Sequence, residues 1–176
     1  ITGDVSPWQD NYTGAKGHIS KLGDLISKKS KLLEAYPQLA NKVFVVRGLP
    51  SNVGPFTFGA MYKESRGTYG IYLSDGLFNP LGTDKVFKPR VAVDFGTSVL
   101  AHELQHVVQD IEGFSKGWQM SYRKSAGETE ARNVQKRMGM TEAQRRKTLL
   151  EETEDVARED QEVYFRDEEM AQGQLT

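Results

Sequence analysis

The stretch Val99-Leu100-Ala101-His102-Glu103-Leu104-Gln105-His106-Val107-Val108-Gln109-Asp110-Ile111 constrains this chain more than any other. Val99, Leu100, Leu104, Val107, Val108 and Ile111 recur at helical spacing and form a wide apolar face. Thr97 or Ser98 is positioned to cap the helix, and Gly113 to end it. A helix so patterned has to be mostly buried. Inside it lies H-E-x-x-H, from His102 to His106. Each residue turns about 100°, so side chains four apart stack on one face. His102 and His106 can therefore offer two imidazoles to one Zn²⁺. Glu103 lies beside them, where a carboxylate can take a proton from water held by the metal. Packing must fix the rotamers of such histidines, and a buried helix does that. The competing reading is a helix with two structural histidines.

Composition narrows the alternatives. With 176 residues, 38% of them hydrophobic, the chain can bury a core of one domain with an appendage. The net charge of −1 gives no support to nucleic-acid binding or to an anionic membrane surface. There is no cysteine, so there are no disulfides, and a zinc site has to use nitrogen and oxygen ligands. That absence suits a reducing cytosol. No apolar run approaches ~20 residues, so no transmembrane helix is expected. No secretory signal is read at the start. Because the first residue is Ile1 rather than Met, the chain is expected to be a processed product or a piece of something longer.

Residues 1–16 are rich in turn formers and read as a lead-in that Trp8 and Tyr12 can tack onto the core. From His18 to Ala40 apolar residues recur at helical spacing, with Gly23 and Pro37 expected to break the run into two short helices. Lys28, Lys29 and Lys31 read as a solvated face. Lys42–Arg47 is expected to be a buried strand, and 48–55 a loop. Phe56–Tyr62, Tyr69–Ser74 and Val91–Asp94 read as further short strands separated by turn signals. Gly67 and Gly70, on either side of Tyr69, fit an ordinary hairpin. A loop over 113–126 precedes a helix from Glu128 to Met138, and Thr141 opens another. The tail from Glu151 is acidic; within it Gln161–Arg166 alternates like a short strand, so the tail is expected to dock.

Two histidines do not complete a catalytic zinc site, which takes three protein ligands and an open position. The extension H-E-x-x-H-x-x-G-x-x-H is absent: position 109 is Gln and position 112 is Glu. His18 is the one other histidine, far upstream. Glu128 and Glu130, in Gly127-Glu128-Thr129-Glu130-Ala131-Arg132-Asn133, remain, at a distance from His106 that fits a helix end, a loop and a return helix. Either can instead be surface charge, and Glu128 sits near the positive end of its helix.

The run HELQHVVQD resembles the active-site helix of thermolysin-like gluzincins, including the Asp four residues after the second His. In glutamate-zincins the ligand commonly lies three residues before a small residue. Glu128 with Ala131 matches that pattern and Glu130 does not, so the resemblance favours Glu128. It departs at Arg132, where those enzymes carry an Asp or Asn that orients a zinc histidine. Asp110, Asp94 and Asn133 are the remaining candidates for that acceptor. A wider resemblance covers about residues 22–150. DLISKKSKLLEAYPQL, LAHELQHVVQDIEGF and SAGETEARNVQKRM resemble a zincin-like domain of large polyvalent phage proteins.

The resemblance implies an α+β, zincin-like fold: a small mixed or antiparallel sheet packed on the H-E-x-x-H helix with flanking helices. The domain would run from 17 to 150, followed by an acidic tail over 151–176. It implies a phage or mobile-element origin, in the host bacterial cytoplasm or with the virion. By analogy it implies a zinc metallopeptidase, with His102, His106 and Glu128 as Zn²⁺ ligands and Glu103 as the base. An edge strand, Tyr69–Ser74 or Val91–Asp94, would bind an extended substrate. Tyr122 and Arg132 are the nearest candidates to stabilise the oxyanion, though Arg132 can instead pair with Glu128 one turn away. The expected partner is a protein or peptide, the parent polyprotein among the candidates; neither membrane nor nucleic acid is expected. The alternative is a catalytically silent zincin-fold scaffold, against which the retained Glu103 argues.

Overall fold

The computed structural model describes residues 19–54, 57–77, 89–114 and 122–165, with the backbone alone at 65, 76 and 89–94. The chain divides into two compact units, Ile1–Gly82 and Thr83–Thr176. It is a mixed α+β fold, with a four-stranded sheet in the first unit and long helices in the second.

In the first unit, β1 (Ile19–Lys21), β2 (Val43–Arg47), β3 (Gly59–Lys63) and β4 (Tyr69–Leu73) form a sheet of order β1-β2-β4-β3. The β1/β2 and β3/β4 pairs are antiparallel, and the central β2/β4 pair is parallel. All of β4 is buried between β2 and β3, so the strand expected over Tyr69–Ser74 is an inner one and not the substrate-binding edge expected of it. The period-2 alternation of strands sends Val46 and Tyr72 to one face, where Phe44, Leu49 and Tyr62 pack against them. The Tyr62 and Tyr72 rings meet edge-on at 5.7 Å. Ile71, Val45 and Met61 share a register row, pointing to the other face.

The sequence expectations for β2 and β4 hold within a residue. The strand expected from Phe56 begins at Gly59; Phe56 itself lies outside the described residues. The two helices expected over His18–Ala40 are a strand followed by three short helices, α1 (Leu22–Leu25), α2 (Lys31–Ala35) and α3 (Leu39–Lys42). Gly23 does not break the run. It lies inside α1, where a Cβ would stand 3.0 Å from the Ala40 Cβ and carbonyl oxygen, so glycine lets α1 and α3 touch. The turn between β3 and β4 is an ordinary hairpin connection, with Arg66 and Gly67 both left-handed at φ 67° and 68°.

The second unit is built on α4 (Pro89–Glu112) and α5 (Ala126–Met138), with α6 (Glu142–Lys147) beyond. The expected strand Val91–Asp94 is helical: α4 begins at Pro89, a residue preset for a first helical position. A four-residue apolar run does not by itself distinguish strand from helix, and here continuity with the strong pattern downstream wins. Ser98 is accordingly not a cap. Its hydroxyl donates to the Phe95 carbonyl within the helix and accepts from Gln135 Nε2 on α5. Gly113, at φ 87°, ends α4 as expected. The Phe114 and Gly113 amides donate back to the Gln109 and Asp110 carbonyls. Thr141 caps α6 in a reciprocal box with Gln144.

The acidic tail docks as far as it is described. Lys136 of α5 donates to the Thr153 carbonyl, and Arg132 of α5 holds Asp155. The Glu162 amide donates to the Lys124 carbonyl, and its carbonyl accepts from the Ala126 amide. Gln161–Phe165 is not a strand but makes two isolated bridges, Ser125 with Glu162 and Phe114 with Phe165. The expected lead-in over 1–16 falls outside the described residues. Among the described residues, no helix is long and apolar enough to cross a membrane.

Candidate metal centre

His102 and His106 project from one face of α4, their rings edge-to-face with centroids 4.9 Å apart. Helix α5 returns antiparallel beside α4: Ser98 meets Gln135 and Gln109 meets Gly127. This brings the first turn of α5 to the histidines, and Glu128 with it. The two Nε2 atoms face the two oxygens of the Glu128 carboxylate, each histidine against a different oxygen. His106 Nε2 lies 3.2 Å from His102 Nε2 and 3.3 Å from Glu128 Oε1, and His102 Nε2 lies 3.5 Å from Glu128 Oε2. Bond lengths of 2.0–2.1 Å in tetrahedral coordination separate neighbouring ligand atoms by roughly 3.3 Å. The Nε2–Nε2 distance and the nearest nitrogen–carboxylate distances lie close to that spacing.

Burial sharpens the point. The Glu128 side chain is 2% exposed, and its Oε2 has no hydrogen-bond partner. An uncompensated buried carboxylate oxygen is costly, and a cation is what relieves it. Burial opposes ionisation of Glu128. The approach of His102 Nε2 at 3.5 Å, the charge of His106 and the Tyr122 hydroxyl outweigh it and hold the carboxyl below its usual range. The residues present fit a divalent ion with nitrogen and oxygen preference. Among the described residues, this is the one cluster of histidine and carboxylate groups able to hold a metal.

Glu130, the rival third ligand, is not in this cluster. It is exposed and accepts a hydrogen bond of 2.8 Å from Gln109 Nε2. Helix geometry explains the choice: residues two apart point about 200° from each other. Glu128 shares its buried face with Ala131, which is fully buried.

Glu103 is buried on α4 at 7% exposure. Tyr122 is half exposed, but its hydroxyl reaches the Glu128 carboxylate. Desolvation, then the charge and hydrogen bond of Glu128, then the charge of Glu103 push the tyrosine upward, so it stays protonated as a donor. Glu103, Tyr122 and Glu128 thus share one electrostatic environment.

Arg132 belongs elsewhere. Its guanidinium holds Asp155 through both carboxylate oxygens, at 2.8 and 3.1 Å, and also binds the Arg123 carbonyl and Thr129 hydroxyl. Neither the expected pairing with Glu128 nor an oxyanion role is what it does; it ties the tail to α5. The acceptor that orients His106 is Gln109, whose Oε1 lies 2.9 Å from His106 Nδ1. Asn133, one of the residues expected there, instead donates to the Leu150 carbonyl. Gln109 was legible in one respect. His102, His106 and Gln109 fall at i, i+4 and i+7, a polar stripe within an apolar face. Comparisons of this chain with protein-family models, curated proteins and solved structures return no match.

Proposed function

We propose that this chain is a zinc metallopeptidase of the glutamate-zincin type, a zincin-like domain of a large phage polyprotein, with proteins or peptides as substrate. The observation that carries this reading is the His102–His106–Glu128 cluster, with contacts of 3.2–3.5 Å, placed beside a buried Glu103. A zinc ion there would act as a Lewis acid toward a scissile carbonyl and bring the acidity of water close to neutrality.

The chain's own groups supply the remainder. His102 and His106 would hold a zinc ion through Nε2, and Glu128 through its carboxylate. Glu103 accepts the proton of the attacking water and returns it to the leaving nitrogen. Its burial keeps that carboxylate in fixed geometry and out of bulk water. The Tyr122 hydroxyl, kept protonated, turns from Glu128 to donate its one proton to the oxyanion that develops on the substrate carbonyl. A purely structural metal site has no need for a carboxylate beside its first histidine, so Glu103 favours catalysis over scaffolding.

The test is zinc content together with cleavage of an unstructured protein, measured on the full chain with and without a chelator. The proposal expects one zinc per chain and cleavage that stops with chelation and returns with zinc. Stoichiometric zinc without cleavage supports the scaffold alternative with metal bound, and no zinc at all removes the peptidase and leaves only a metal-free scaffold.

A further inference from the structure

We propose that Gln109 is a positioning residue that locks His106 in its Nδ1–H tautomer, so that Nε2 presents a lone pair to the metal before any metal arrives. This rests on the metal-site reading above and deepens it. Gln109 is 2% exposed. Its Nε2 donates to the Gly127 carbonyl at 2.9 Å and to Glu130 Oε2 at 2.8 Å. Both are pure acceptors, so the amide group has one orientation that satisfies them: NH₂ toward α5, oxygen toward α4. That oxygen lies 2.9 Å from His106 Nδ1. An amide oxygen only accepts, so His106 Nδ1 has to carry a proton. Glu128 Oε1, 3.3 Å from Nε2, favours the doubly protonated ring, and once the ring is neutral the Gln109 contact leaves Nε2 as the unprotonated nitrogen.

The chain of constraint therefore runs from the start of α5 to the metal-facing nitrogen of α4. The same two helices that bring Glu128 to the histidines also set the tautomer of one of them. It gives Glu130 a role as well: not a ligand, but one of the two groups that hold the Gln109 amide. His102 is different. Its buried Nδ1 has no hydrogen-bond partner among the described residues. The two histidines are thus unequal: His106 is preset, and His102 is not.

The experiment is histidine ring ¹H–¹⁵N correlation spectroscopy on the metal-free full chain, at a pH where the imidazoles are neutral, followed by zinc affinity measured against a competing chelator. The expected result is a pure Nδ1–H signature for His106 in the parent. In Gln109→Met, which keeps side-chain length and removes the acceptor, that signature should be lost and zinc affinity should fall by about 10–100-fold. A His106 in the Nε2–H form in the parent overturns the lock, and that reading needs no variant to fold. So does a Gln109→Met chain that binds zinc within about twofold of the parent. A parent with the Nδ1–H signature that binds no zinc supports the lock and overturns the metal site, so the two failures are distinct.

Discussion

Replacing Glu128 by Gln separates the metal reading from a purely structural one. The amide keeps the size of a side chain that is 2% exposed, and it removes the charge that faces two imidazole nitrogens at 3.3 and 3.5 Å. Without metal the substitution keeps the volume and lets an N–H donate to His106 Nε2, but it gives up the charge that the two histidines and Tyr122 stabilise. That loss is the same with and without zinc and cancels in the zinc-induced shift. With metal the substitution is severe. At zinc 100-fold above the parent's Kd, binding stabilises the fold by about 2.7 kcal/mol. For a chain of this size that is roughly 5–11 °C in Tm. Loss of a charged ligand should weaken affinity by at least about 100-fold, more than loss of a group that only orients a ligand. The variant at the same zinc concentration then gains about 0.4 kcal/mol, or roughly 1–2 °C. The assay is thermal unfolding of parent, Glu128→Gln and Glu130→Gln, each with and without zinc. Glu130→Gln should keep most of the parent's shift. An equal zinc shift in parent and Glu128→Gln would refute the assignment of Glu128.

Glu103→Gln should bind zinc as the parent does, yet cleave at least about 10²-fold more slowly in single-turnover assays. Tyr122→Phe should lower kcat by about 10²–10³-fold with little change in KM, as removal of an oxyanion donor does. Arg132→Ala should free the tail, seen as faster proteolysis between residues 150 and 165. Acid should free it too. Burial raises the Asp155 pKa, but the hydrogen bond and charge of Arg132 outweigh it and hold the carboxyl below its ordinary value. A carboxyl depressed in the folded state contributes fully above its unfolded pKa near about 3.9, and that contribution is lost as pH falls through the lower folded value. Tail protection in the parent should therefore persist at pH 5 and vanish only below about pH 4.

What the sequence revealed followed its periodicity. The H-E-x-x-H helix was visible because six apolar residues at helical spacing surround it. The start of α6 at Thr141 was visible because a cap depends on local residues alone; the structure adds Gln144 as its reciprocal partner. The features that sequence reading missed depend on distant partners. β1 is three residues long, and what makes it a strand is its pairing with β2, some 25 residues on. Arg132 looked like a departure from the zincin pattern because its partner, Asp155, lies in a tail with no signature of its own. Gln109 counted only as a mismatch to a longer motif, because its role appears when α5 returns to meet it. The third ligand lies between these cases. Spacing left two glutamates, and the rotation of α5 buries one and exposes the other.

X-ray diffraction from zinc-loaded crystals, collected on both sides of the zinc absorption edge, measures the central claim most directly. The account predicts a single strong anomalous peak within 2.0–2.2 Å of His102 Nε2, His106 Nε2 and a Glu128 carboxylate oxygen, with a fourth position open to solvent. A peak elsewhere, a peak held by Glu130 in place of Glu128, or a zinc-soaked crystal with no peak at these residues would contradict it.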